Sequence, residues 1–167
     1  VRKSIPEVTL TVIGANPPPE VRRLSGPRVN VTGQVEDVSE YFDCARLSIA
    51  PLRFGAGVKG KINQSLAYGL PVVATPLAAE GMPLVHGQSI AIATDPKDFA
   101  DEVVRVYSNE QLWKALSSNG LKIAEAHFSL ASAQHGVEEL FKPSQQAPPG
   151  SPQPPSELSA AHRMEAP

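Results

Sequence analysis

Short β-branched, apolar runs alternate with stretches of helical spacing along most of this chain, and each apolar run is stopped by glycine or proline. Val8 to Ile13 ends at Gly14-Ala-Asn ahead of three prolines, and Val29 to Thr32 ends at Gly33. Leu47 to Ala50 runs into Pro51, and Pro71 to Thr75 is closed by Pro76. Runs this short and this apolar suit parallel strands covered on both faces. Between them, Pro18 to Ser25 fits a short helix, and Asp37-Val-Ser-Glu40 has the spacing of a capping box ahead of Tyr41, Phe42 and Ala45. A third helix is predicted from Lys61 to Tyr68, stopped by Gly69 and Pro71.

Further along, Pro76 to Gly87 shows no period and reads as a loop. Ser89 to Ala93 is a fifth strand, and Asp95-Pro96 is an N-cap followed by proline at the first helical position. Asn109 caps another helix carrying Leu112, Trp113 and Leu116, and Ile123 to Phe141 continues in helical pattern with a break near Ser129. This order predicts an α/β fold, a doubly wound Rossmann-like domain with a mainly parallel sheet over residues 1–141. Proline, serine, glutamine and alanine dominate from Pro143 onward, so residues 142–167 are predicted to be a disordered tail.

Composition narrows the partners. Fifteen basic against seventeen acidic residues give a net charge of −2, with no basic stripe interleaved with aromatics, so a nucleic-acid surface is not indicated. The single cysteine, Cys44, excludes an internal disulfide and a multi-cysteine metal site and is expected on a buried helix face. With no signal peptide or long apolar span visible, a cytoplasmic location is expected. His86, His127, His135 and His162 have no metal-ligand spacing and no nucleophile beside them, so they are expected to be structural or exposed.

Arg53-Phe-Gly-Ala-Gly-Val-Lys-Gly-Lys-Ile62 concentrates glycines and lysines between a strand and a helix. Glycines let a backbone turn tightly and approach a ligand, and the N–H groups opening a helix favour an anion, so a phosphate is the expected guest. Gly55, Gly57 and Gly60 spell a G-x-G-x-x-G, but the loop follows the third strand and no acidic residue ends the next one. Gly55 to Lys61 spell most of a P-loop, which would make this an ATP- or GTP-binding protein, but Ile62 stands where a magnesium-ligating hydroxyl is needed. Arg53 is expected on the surface.

A longer stretch carries a third reading. Pro51 to Lys61, then Gln64-Ser-Leu-Ala-Tyr-Gly-Leu-Pro-Val-Val-Ala-Thr-Pro76, then Glu80-Gly81 resemble the donor-nucleotide half of retaining GT-B glycosyltransferases of the large family 4. Weaker similarity spans residues 1–141, with Leu10 to Gly14 and Val31 to Gly33 resembling that domain's second and third strands. The resemblance implies a glycosyltransferase portion that binds a sugar nucleoside diphosphate as donor and needs no metal or other cofactor. It implies that Gly57 and Val58 face the pyrophosphate and that Lys61 is a catalytic lysine meeting charge on the leaving group. Gln64 would contact the ribose, Glu80 the donor sugar, and the backbone from Gly33 to Val35 the base.

Helical spacing puts Lys61, Gln64, Ser65 and Tyr68 on one polar face, with Ile62 and Leu66 on another. Lys61 and Gln64 are expected to meet ligand, and Ser65 and Tyr68 to form a solvated surface. The sequence also departs from the family. Gln64 stands where the ribose-binding Glu is usual, Ala56 where an earlier acidic residue stands, and the family's opening βα unit has no counterpart. With the chain starting at Val1, the expectation is a fragment whose acceptor is bound by a missing amino-terminal domain, which leaves room for peripheral membrane association through that domain. A non-catalytic nucleotide-sugar-binding remnant or partner subunit is the alternative.

Overall fold

A computed structural model describes residues 1–141 and carries five strands and seven helices among them. The predicted tail at 142–167 lies outside the described residues. Strands β1 (Leu10–Ile13) and β2 (Val29–Gly33) pair in parallel, and β3 (Ser48–Ala50), β4 (Val72–Ala74) and β5 (Ala91–Ile92) form a second parallel sheet with β4 in the middle. The expected mainly parallel sheet is therefore two sheets, and among the described residues β1, β2 and β3 each have one side without a ladder partner.

The second sheet holds the core. In β4, successive side chains point to opposite faces, so Val72 and Ala74 pack under α3 (Gly60–Ala67) with Ile62, Leu66 and Ile90. Val73 instead joins Ala91, Val103, Val106 and Leu116 beneath α5 (Pro96–Ser108) and α6 (Glu110–Phe128). Burial on both faces explains why β4 reads as an unbroken apolar run. The first sheet is thinner. Neither β1 nor β2 has a fully buried residue, and Leu10 is 37% exposed. Between the two sheets in chain order, α2 (Ser39–Cys44) meets the end of α3, with Phe42 stacked on Tyr68 at a ring-centroid distance of 4.9 Å while Ser39 Oγ and Tyr68 Oη share a 2.6 Å hydrogen bond.

Asp95 and Asn109 cap their helices as expected, but the capping box expected at Asp37 to Glu40 does not form, because α2 is entered at Val38 with no side-chain cap. Asp95 accepts from the N–H groups of Lys97 and Asp98, and the Asp98 amide above all holds its carboxyl below the usual carboxylate range. Asp37 accepts from Ser39 N at 2.8 Å, and that bond lowers its pKa in the same way. Asn109 Oδ1 accepts from Leu112 N at 3.0 Å and opens α6. Asn109→Ala is expected to lower the unfolding free energy by about 1 kcal/mol, read as a shifted urea midpoint with an unchanged slope; an unchanged midpoint would show the cap to be idle. Gly69 closes α3 at φ 66°, with Gly69 N bonded to Leu66 O and Leu70 N to Ser65 O.

Two further expectations are corrected. Pro76 to Gly87 is not loop throughout, because Pro76–Ala79 forms the one-turn helix α4, capped by Thr75 and opened by proline. Four residues are too few to show a period. Cys44 is exposed, because among the described residues α2 has no buried face to hold it. The break at Ser129 is present, separating α6 from α7 (Leu130–Phe141).

Candidate functional site

Because β3 and β4 are parallel neighbours, the segments leaving their carboxyl ends emerge side by side. From β3 comes the glycine loop, 51–59, which enters α3. From β4 come Thr75, α4 and Glu80, which caps the end of α4. Thr75 joins the two, its hydroxyl donating to Leu52 O at 2.7 Å and its amide to Ala50 O at 3.2 Å.

Every residue from Arg53 to Val58 is exposed, Phe54 by 84%. Gly55 and Gly57 have φ of 130° and 74°, values that a side chain with a Cβ resists, and a Cβ built on either meets no atom within 4 Å. The loop is open on its outer side. Lys59, the residue capping α3, makes no side-chain bond to the helix amides; its carbonyl takes the N–H groups of Ile62 and Asn63, which leaves those of Gly60 and Lys61 without a described partner and available to a ligand. Instead Lys59 is 91% buried, being 9% exposed, and its Nζ donates to the Gly57 carbonyl, bracing the turn from inside.

The remaining candidates sort by position. Lys61 and Gln64, one turn apart on α3, are both exposed. Gly57 and Val58 lie in the open loop and Glu80 is exposed beyond α4. Gly33, half-buried at the end of β2, lies in the other sheet and no described hydrogen bond ties it to the glycine loop. Ser65 departs from the expected solvated face. It is 1% exposed and its Oγ donates to Lys61 O at 2.8 Å, a bond that four-residue spacing permits but that the amphipathic pattern conceals. Tyr68, partly exposed, is engaged with Ser39 and Phe42.

Ile62 decides against a P-loop. Its side chain is fully buried in the core with Leu66 and Val72, so the position where a P-loop hydroxyl would hold magnesium faces away from the loop's open side. His86 Nδ1 accepts from Ile92 N, a structural role. Among the described residues no group of three or more His, Cys, Asp or Glu stands together to hold a metal ion, and no helix is long and apolar enough to cross a membrane.

Parallel strands with helices between them and an open, glycine-built, helix-opening turn at the carboxyl edge define a Rossmann-like domain. A family model described as glycosyl transferases group 1 matches residues 1–109, and the chain belongs to that family. The solved structures it resembles are GT-B glycosyltransferases. Anabaena HepE in complex with UDP-glucose superposes with a TM-score of 0.69 at 18% identity, over 83% of this chain and 43% of that one. Sucrose-phosphate synthase from Thermosynechococcus elongatus gives 0.69 at 19% identity over 80% of this chain and 37% of its own. The C-terminal domain of the group 1 glycosyltransferase LpcC from Francisella tularensis gives 0.65 at 16% identity, over 77% of this chain and 74% of that domain. An uncharacterized 44.6 kDa protein in the cps region of Klebsiella pneumoniae is 27% identical over 93 residues, 56% of this chain and 24% of that protein. This chain thus spans under half of HepE and about a quarter of the Klebsiella protein.

Proposed function

We propose that this chain is the donor-binding portion of a retaining glycosyltransferase, seating a sugar nucleoside diphosphate at the carboxyl edge of β3 and β4. The observation that carries the proposal is the glycine loop. Its φ values, its open outer side and the uncapped first turn of α3 leave backbone amides ready to accept a pyrophosphate. HepE, crystallised with UDP-glucose, lends support through its shared fold.

In the proposed reaction the bond from the sugar's anomeric carbon to the diphosphate oxygen breaks as an acceptor nucleophile bonds to that carbon and yields its proton to the leaving group, and negative charge gathers on the departing diphosphate. The α3 amides and the exposed Lys61 ammonium meet that charge, while Lys59 holds the turn in shape. Neutralising the leaving group in this way needs no resident metal. Gln64 offers the ribose an amide in place of a carboxylate, which hydrogen-bonds a hydroxyl without adding charge. Glu80 faces the donor sugar in this scheme, and the backbone around Gly33 the base. The acceptor is bound by another part of a longer protein, a proposal supported by the partial coverage of the neighbours.

Gln64 and Ala56, at positions where the family carries acids, favour a second reading in which the domain binds a nucleotide sugar without catalysing transfer. Calorimetric titration with UDP, GDP and their sugars, beside ATP and GTP with magnesium, tests the first step. Saturable binding of a diphosphate sugar without magnesium is expected. Magnesium-dependent ATP or GTP binding with no response to diphosphate sugars would overturn the proposal. Assay of the longer protein for sugar transfer then separates an enzyme from a binding module.

A further inference from the structure

The glycine loop is held by few bonds. Among the described residues no backbone hydrogen bond outside the regular elements involves residues 53–58, and the loop is pinned at two points. At its far end Lys59 Nζ donates to the Gly57 carbonyl. At its near end the Thr75 hydroxyl donates to Leu52 O at 2.7 Å, one residue before Arg53. Leu52 N also donates to Ala50 O at 2.9 Å, bending the chain as it leaves β3, and the Thr75 amide closes on that same Ala50 carbonyl. The loop's direction of departure is therefore set from β4.

The same hydroxyl faces the other wall. Thr75 Oγ1 accepts from Ala78 N at 3.3 Å, capping the one-turn helix that ends at Glu80. A hydroxyl can donate and accept at once, so a single oxygen fixes the start of the glycine loop and the seat of α4 relative to one another. Valine has the same shape and can do neither.

We infer that Thr75 is a positioning residue for the diphosphate-sugar site, ordering the glycine loop and α4 together without touching the ligand. The inference rests on the proposed donor-binding function, and it makes affinity depend on a hydroxyl behind the site. Removing it leaves the Leu52 carbonyl without its partner, while Ala78 N keeps its 3.0 Å bond to the Thr75 carbonyl. The loop start is thus expected to loosen more than the helix.

Thr75→Val and Thr75→Ser separate this role from general stability. UDP-glucose titrated into the whole chain is expected to bind Thr75→Ser as it binds the unsubstituted protein and Thr75→Val about tenfold more weakly, the size of one lost hydrogen bond. Amide hydrogen exchange of Thr75→Val is expected to speed up at the hydrogen-bonded amides that flank the loop and open α4, those of Leu52, position 75, Ala78 and Ala79, with β4 and β5 unchanged. Equal affinity in Thr75→Val, a defect in Thr75→Ser as large as in Thr75→Val, or faster exchange across the whole sheet would each overturn the inference. If the unsubstituted chain fails to bind UDP-glucose and UDP, the donor-binding proposal falls for those donors. The exchange measurement still decides the role of Thr75 in ordering both walls.

Discussion

Leu66→Ala is expected to cost about 3 kcal/mol of unfolding free energy, within the 2–5 kcal/mol range for truncating a buried leucine. Leu66 is 1% exposed, on the face of α3 that packs against β4 and α6. The contact is tight, since a Cβ built on Gly120 of α6 would stand 2.8 Å from Leu66 Cδ2. Glycine at 120 lets the two helices approach closely around the leucine side chain, so alanine at 66 leaves a void that neither backbone can close by moving in a methyl's width. For a domain whose total stability is about 5–15 kcal/mol, the loss is a large fraction. Denaturant unfolding followed by Trp113 fluorescence measures it. A change below 1 kcal/mol would show that the α3–α6 crossing relaxes freely around the truncated side chain.

Gly57→Val is expected to weaken diphosphate-sugar binding between tenfold and a hundredfold while leaving the unfolding midpoint almost unchanged. Gly57 has φ 74°, where a β-branched residue is strained by about 1–3 kcal/mol. A Cβ there meets no protein atom within 4 Å, so the core is undisturbed. With few bonds holding it, the loop relaxes to a conformation valine accepts, and the amides no longer converge. In affinity, 1.4 kcal/mol is a factor of ten, which sets the expected range. Calorimetry with UDP-glucose beside thermal unfolding reads both quantities. Undiminished affinity would mean that the pyrophosphate does not sit on this turn.

Much of the fold was legible because its signals are local. Proline after a capping side chain marked α5 at Asp95, glycine marked the end of α3, and an apolar run between glycine and proline marked β4. Most strands proved shorter than the runs that announced them, as Val8 to Ile13 became Leu10–Ile13, since a ladder extends only as far as its neighbour does. What escaped was tertiary. Helical spacing put Ser65 beside Lys61 and Gln64, yet its hydroxyl turns back onto its own helix. Nothing along the chain sets Lys59 apart from Lys61, and only the folded loop shows it braced beneath Gly57. Thr75 read as the last residue of a strand, because spacing along the chain says nothing about a carbonyl twenty-three residues earlier.

The parting of the sheet bears on how the protein behaves at concentration. β1 and β3 each present a row of backbone donors and acceptors with no ladder partner among the described residues, and Leu10 adds exposed apolar surface beside one of them. Open edges of this kind are templates for pairing with another molecule. Pairing of two copies through these edges would compete with folding and with ligand as the protein is concentrated.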